Sequence, residues 1–214
     1  MIDIRQRIAE LKLIPMVVIG HAEHAGPFGD ALVGGGLPVA EITFRTAAAE
    51  TAIRELARRG DLLVGAGTVL SKELADRAID AGAKFIVAPG TNPGVVEHVL
   101  KRGSTMIPGV VSPTEIEFAL SLEVSTLKFF PAEAMGGVAM LKALAGPYPD
   151  VRFIPTGGIT PELLPNYLKL ASVAACGGSW LAPRDLLAAG KFDAIKRLVE
   201  QAVKIIAGPP IAAT

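Results

Sequence analysis

The sequence predicts a single α/β domain, a (β/α)8 TIM barrel with an extra N-terminal helix. Three observations lead there. Short β-branched runs alternate strictly with amphipathic helical stretches, eight such runs can be counted, and each is followed by a loop marked by Gly or Pro. Strict βα alternation over short connections implies parallel strands with right-handed crossovers, either as an open doubly wound sheet or as a closed barrel, and eight units favour the barrel.

Taken in order, a helix at 3–11 precedes the first strand and would close the bottom of the barrel. The strands follow at 13–19, 39–44, 62–65, 85–87, 105–107, 126–130, 152–155 and 173–176, and helical patterns between them include 47–59, 71–81, 93–101 and 113–121. A last helix at 192–206 completes the outer ring. The barrel is thus expected over residues 1–207. The segment 208–214, with two prolines and no periodicity, is expected to be a flexible tail.

Composition narrows the function. With 21 Lys+Arg against 21 Asp+Glu the formal net charge is 0, which argues against a nucleic-acid partner, because such proteins carry excess cations to displace phosphate counterions. Half the residues are hydrophobic and 20% are charged, enough to bury a core and too apolar for a disordered chain. The single Cys176 excludes a disulfide framework, and His21, His24 and His98 have no metal-ligand spacing, so no metal is expected. The apolar run at 13–19 is too short to span a bilayer and lacks a signal-peptide pattern. The expectation is a cytoplasmic protein without membrane contact.

Strand parity exposes two polar residues. On the second strand Val39, Glu41, Thr43 and Arg45 share one face, opposite Ala40, Ile42 and Phe44; if the apolar set packs on helices, Glu41 points inward. On the sixth, Val124, Thr126, Lys128 and Phe130 share a face, so Lys128 points inward as well. A structural ion pair is one reading of these two residues. The other is chemical. The Phe129-Phe130-Pro131 run after Lys128 forms an apolar wall that favours the neutral, nucleophilic amine, with Glu41 as proton carrier beside it. The glycine clusters suggest an anion. Gly157-Gly158, followed by the helix-start pattern Thr160-Pro161-Glu162, and Gly177-Gly178-Ser179 close the last two strands, where barrels often build phosphate sites from exposed backbone N–H groups. Cys176 and the histidines read as structural or solvated, with His21 alone placed to line the site mouth.

The chain resembles the 2-dehydro-3-deoxy-phosphogluconate (KDPG) aldolase family. The resemblance rests on Gly36-Leu37-Pro38-Val39-Ala40-Glu41-Ile42-Thr43-Phe44-Arg45 and Leu127-Lys128-Phe129-Phe130-Pro131-Ala132-Glu133. It is reinforced by Gly65-Ala66-Gly67-Thr68-Val69-Leu70, Pro155-Thr156-Gly157-Gly158-Ile159 and Gly177-Gly178-Ser179-Trp180-Leu181, in order and at similar spacing. The resemblance implies a class I aldolase, a carbon–carbon lyase of the Entner–Doudoroff pathway that cleaves KDPG to pyruvate and glyceraldehyde 3-phosphate without a cofactor. It also implies a homotrimer whose partner is a phosphorylated 2-keto acid.

By the same resemblance Lys128 forms the Schiff base and Glu41 is the general acid and base. Arg45 and Thr68 grip the pyruvate carboxylate, Thr156 and Ser179 lie near the aldehyde end, and Gly157, Gly158, Gly178 and Ser179 build the phosphate site. A guanidinium suits a planar carboxylate because it donates two parallel hydrogen bonds. The chain departs from the pattern twice. Glu123 stands where the family often has Gly, at the bottom of the lysine strand, and Ile19-Gly20-His21 stands where some relatives carry a basic residue. Alternatives with the same residues are an aldolase of the galactonate series or one that also cleaves 4-hydroxy-2-oxoglutarate. A phosphosugar isomerase barrel or a non-catalytic phosphosugar-binding protein would explain the glycines but give an inward lysine beside a carboxylate no task.

Overall fold

The computed structural model describes residues 3–208; of the expected tail, 209–214 lie outside the described residues. The chain opens with α1 (Ile4–Leu11), capped by the Asp3 carboxylate, which accepts from the Arg5 N–H. β1 (Leu13–Val17) then leads through a short 3-10 turn into α2 (Ala25–Gly34), and β2 (Val39–Thr43) into α3 (Ala49–Arg58). β3 (Leu63–Gly67), α4 (Lys72–Asp80), β4 (Phe85–Val87), α5 (Pro93–Lys101), β5 (Thr105–Ile107), β6 (Gly109–Val110) and α6 (Pro113–Ser121) follow. β7 (Thr126–Phe129), α7 (Gly137–Ala145), β8 (Arg152–Pro155), α8 (Leu164–Leu168), β9 (Cys176–Gly178), α9 (Arg184–Ala188) and α10 (Phe192–Ala207) complete the chain.

Local chemistry sets these helix starts. Ser71 and Asn92 cap α4 and α5 by accepting backbone N–H groups, and Ser112 with Glu115 forms a capping box on α6. Pro93 and Pro113 occupy the first turn, where the missing N–H costs nothing.

Every strand pairing is parallel, in a six-stranded portion ordered β5-β4-β3-β2-β1-β9 and a three-stranded portion ordered β6-β7-β8. The whole is an α/β fold with a curled parallel sheet. The break between β5 and β6 falls at Pro108, which has no N–H to give a ladder; the Pro108 carbonyl still accepts from the Lys128 N–H at 2.8 Å. Single bridges, Phe153 to Val173 and Thr156 to Gly177, join β8 to the β9 segment.

The fifth strand stands at Thr105–Ile107 as expected, with an additional short strand, β6, after Pro108, while other strands shift. The first ends at Val17, leaving Ile19 buried by packing rather than by pairing. The third runs on to Gly67 and the last is displaced to Cys176–Gly178. Both corrections extend strands over glycines, which are poor strand formers in isolation and are accepted here because a larger residue would not fit. A Cβ on Gly65 would lie 2.2 Å from the Phe85 ring, and one on Gly177 would lie 2.3 Å from Thr156 Oγ1. The helices pack their apolar faces on the sheet around the fully buried Phe28, Phe85, Phe129, Phe153 and Tyr167.

Gly65→Ala should therefore destabilise the fold by about 1–3 kcal/mol through overpacking against Phe85. Urea unfolding should show a lower midpoint with an unchanged slope; an unaltered midpoint would mean that the ring moves aside freely.

Candidate active site

Lys128 lies in β7, flanked by Gly109 of β6 and Ile154 of β8. Glu41 lies in β2, flanked by Met16 of β1 and Gly65 of β3. Although they are far apart in sequence, curling of the sheet brings Lys128 Nζ to 3.3 Å from Glu41 Oε1, with the residues 5% and 3% exposed. Taking such a pair out of water costs several kcal/mol per ion, and their mutual attraction offsets this only with good geometry and further partners. The Phe130 ring supplies one partner, its centroid 5.4 Å from Nζ. Phe130 is thus more than the apolar wall expected from sequence: it presents a π-face, which favours a cation, to the amine.

Glycine makes room for the carboxylate. A Cβ on Gly67 would sit 2.1 Å from Glu41 Oε1. The next residue, Thr68, has a positive φ of 58°, a conformation that is unusual for a β-branched side chain and costs of order 1–3 kcal/mol. Hydrogen bonds hold it there: the Phe44 N–H donates to the Gly67 carbonyl at 2.8 Å, and the Val69 N–H donates to the Val87 carbonyl at 3.2 Å. So placed, Thr68 Oγ1 accepts from Arg45 Nε at 3.3 Å. The two terminal nitrogens of Arg45 have no protein acceptor among the described residues and remain free for an anion. Thr43 and Thr46, which sequence reasoning left without a role, tie the exit of β2 to that of β1 by donating to the Val17 and Ile19 carbonyls at 2.9 and 2.6 Å.

A second group gathers at the exits of β8 and β9. Thr156 is buried against Gly177, and Gly157 and Gly158 follow it with φ of 106° and 80°. Among the described residues the backbone N–H groups of Gly158 and Ser179 have no hydrogen-bond acceptor, whereas that of Gly157 faces the Gly177 carbonyl in the bridge from Thr156 to Gly177. Free N–H groups gathered in turns make an anion-binding concavity. The expected helix start at Thr160-Pro161-Glu162 is only a turn; α8 begins at Leu164, so these donors belong to a loop and not to a helix terminus. Gly178 is the last residue of β9, paired with Pro15, and only Ser179 stands in the loop. The two groups of residues meet at Phe130, whose Cδ2 would be 3.4 Å from a Cβ on Gly157.

Both departures noted in the sequence have structural counterparts. Glu123 has a φ of 61°, the left-handed conformation that favours glycine, at the turn before β7 and away from Lys128 Nζ. At the exit of β1, a cavity of about 200 Å³ is lined by Ile19, Gly20, His21, His24, Arg184 and Leu187, so a basic side chain reaches this rim from α9. Nothing in the sequence pattern singled out Arg184. Burial pushes the Cys176 thiol up to about 12, so it stays protonated and takes no nucleophilic part. Among the described residues no cluster of three His, Cys, Asp or Glu side chains is placed to hold a metal ion.

A buried amine against a carboxylate, with an arginine and free backbone donors nearby, defines a class: enzymes that use amine chemistry on anionic carbonyl compounds. Comparison with known proteins narrows it. Residues 4–198 match the family described as KDPG and KHG aldolase, and the chain belongs to that family. It is 47% identical over 207 residues to the 2-dehydro-3-deoxy-phosphogluconate aldolase of Treponema pallidum, covering 96% of this chain and 99% of the relative. The structure of KDPG aldolase from Legionella pneumophila, with pyruvate captured at low pH as a covalent carbinolamine, matches with a TM-score of 0.90 at 36% identity, covering 94% of this chain and 98% of the other. That of the Zymomonas mobilis ZM4 aldolase with 3-phosphoglycerate matches with a TM-score of 0.87 at 38% identity, over 93% and 94% of the two chains.

Gly67→Ala should displace the Glu41 carboxylate while leaving the sheet intact. A shift near 1 Å at a reacting group costs about 10²-fold in rate. Exchange of pyruvate methyl protons with deuterated solvent should slow by that order, with a lowered melting temperature because the buried amine loses its partner's geometry, and an unaltered exchange rate would show that the carboxylate position is unimportant.

Proposed function

We propose that the chain is a class I aldolase that cleaves KDPG to pyruvate and glyceraldehyde 3-phosphate through a Schiff base on Lys128. The observation that carries this reading is the buried approach of Lys128 Nζ to Glu41 Oε1 at 3.3 Å. Family membership supports the reaction, and the free donors at Gly158 and Ser179 support a phosphorylated substrate.

The chemistry follows from the geometry. Glu41 takes a proton from the Lys128 ammonium, and the freed amine adds to the C2 ketone to give a carbinolamine. Protonation of its hydroxyl by Glu41 expels water and leaves an iminium. Glu41, directly or through a water, then removes the C4 hydroxyl proton; the C3–C4 electron pair flows into the iminium, and the aldehyde departs. The enamine takes a proton back at C3, and hydrolysis returns pyruvate and the free amine. Arg45, anchored on Thr68 through Nε, offers its terminal nitrogens to the pyruvate carboxylate, while Thr156 and Ser179 flank the aldehyde end and Gly178 shapes the phosphate loop from the strand below.

In this reading the two sheet portions act as one closed (β/α)8 barrel over residues 1–207, with α1 beneath it; the bridges from β8 to the β9 segment and the continuity through Pro108 support closure. The homotrimer and the cytoplasmic location rest on the family resemblance. No helix among the described residues is long and apolar enough to cross a membrane.

Incubation with pyruvate and borohydride should leave a reduced adduct on the peptide holding Lys128, and Lys128→Ala should lose both adduct and turnover. An adduct on Lys84, Lys101 or Lys142 would overturn the assignment.

Ser179→Asp separates the two halves of the site. It places a negative charge where the phosphate dianion is proposed to sit, and at close range in a partly desolvated pocket like charges repel by several kcal/mol. KM for KDPG should rise by roughly 10²-fold while deuterium exchange into pyruvate is nearly unchanged. Equal losses in both assays would remove the phosphate from this loop.

A further inference from the structure

The segment after β7 does more than end the strand that carries Lys128. The Ala132 N–H donates to the Thr156 carbonyl at 2.9 Å and the Glu133 N–H to the Gly157 carbonyl at 3.0 Å, so the chain beyond Pro131 runs as an extra rung beside the exit of β8. The Glu133 carboxylate accepts a hydrogen bond from the hydroxyl of Tyr167, which projects from α8 and is fully buried. Two glycines are shaped around this contact. A Cβ on Gly158 would lie 2.8 Å from Glu133 Cβ, and one on Gly137 would lie 2.9 Å from Glu133 Oε1 and 3.0 Å from Tyr167 Oη. Burial first, and the Glu133 carboxylate second, raise the Tyr167 phenol above its ordinary range, so it remains a hydrogen-bond donor throughout working pH.

The loop held this way consists of consecutive glycines with positive φ, the residue type that loses most conformational freedom when fixed. Among the described residues the Gly158 N–H has no acceptor, so no internal hydrogen bond from it sets its direction. The contacts of the loop include the Gly157 carbonyl on the Glu133 N–H, the packing of Gly157 on Phe130, Pro131 and Ala132, and the close approach of Gly158 to the Glu133 side chain.

We propose that Glu133 and Tyr167 are positioning residues for the phosphate end of the substrate: their hydrogen bond braces the Gly157-Gly158 backbone and so fixes the free Gly158 N–H for the substrate. The inference rests on the aldolase reading above and deepens it. Neither side chain touches a reacting atom. Their contribution is preorganisation, which lowers the ordering cost of binding without entering the chemical step.

The test uses the intact enzyme with KDPG and the unphosphorylated 4-hydroxy-2-oxoglutarate as substrates, and deuterium exchange into pyruvate as a measure of the Lys128 half. Tyr167→Phe and Glu133→Ala should each raise KM for KDPG by about three- to tenfold, as expected for one lost hydrogen bond. kcat, KM for 4-hydroxy-2-oxoglutarate and the exchange rate should stay near wild type. Glu133→Gln keeps an acceptor for the phenol and should restore KM, and the double variant Tyr167→Phe/Glu133→Ala should be no worse than Glu133→Ala alone. Glu133 is exposed, so its truncation opens no core cavity and decides the matter even if Tyr167→Phe fails to fold. An unchanged KM for KDPG in Glu133→Ala, or equal losses with both substrates and in exchange, would overturn the proposal while leaving the aldolase reading in place. A wild-type enzyme that cleaves neither substrate would overturn the aldolase reading and the brace with it.

Discussion

An amine and a carboxylate inside a parallel sheet are the constraint around which the rest of the structure is arranged. Lys128 and Glu41 come from different portions of the sheet, and their approach to 3.3 Å requires the curl that brings β7 opposite β2. It also requires space. Gly67 leaves the volume that the carboxylate occupies, while the room at Gly65 and Gly109 beside the pair is taken by the Phe85 ring and the Pro89 carbonyl. These glycines are expensive in a strand and stabilise nothing by themselves. Their cost is offset by the large rings they admit, such as Phe85 over Gly65, and by the uninterrupted aliphatic packing on the outer face of the same strands.

The same constraint explains the strained residue. Thr68 follows directly after the glycine that clears room for Glu41, and the ladder bonds on either side of it, from Phe44 N–H and to Val87 C=O, leave it in the left-handed region. In that conformation its hydroxyl meets Arg45 Nε, so the cation is fixed near the ion pair without a carboxylate of its own. A carboxylate partner for Arg45 would compete with an anionic ligand; a hydroxyl orients the guanidinium and leaves its charge uncompensated.

Much of this could be read from the amino-acid order because period-2 alternation is a robust signal. It placed Glu41 and Lys128 on interior faces, and the βα rhythm gave the parallel α/β class. What could not be read was whatever depends on tertiary fit. β3 and β9 extend over Gly67 and Gly178, which intrinsic propensity would assign to loops, because Glu41 and Trp180 occupy the space a side chain would need. α2 was not named from sequence, since Gly26, Pro27, Gly29 and Gly34 obscure its helical pattern; it forms by packing, with Gly29 against Leu56 and Arg59 of the α3 region. Arg184 and Tyr167 carried no motif at all. Their neighbours in space, His21 and Glu133, are distant in sequence, and single-chain periodicity contains no information about such pairs.

Under the proposed function the two ends of the site bind anions by different physics, and this decides where rigidity is needed. At the Arg45 end a full charge does the work, and a long side chain tolerates small errors of placement because Coulomb attraction falls slowly with distance. At the other end, Thr156, Gly157, Gly158, Gly178 and Ser179 carry no charge; attraction depends on backbone N–H dipoles and on hydroxyls, whose hydrogen bonds weaken steeply with angle. A site built from dipoles must have its backbone fixed beforehand. The chain provides that fixation from the strand that bears the reacting amine: β7 delivers Lys128 to Glu41, and five residues later the same segment pins the Gly157 carbonyl through the Glu133 N–H. With Phe130 between them, its ring over Nζ and its edge against Gly157, the distance between the covalent centre and the dipole cradle is set by one short stretch of backbone.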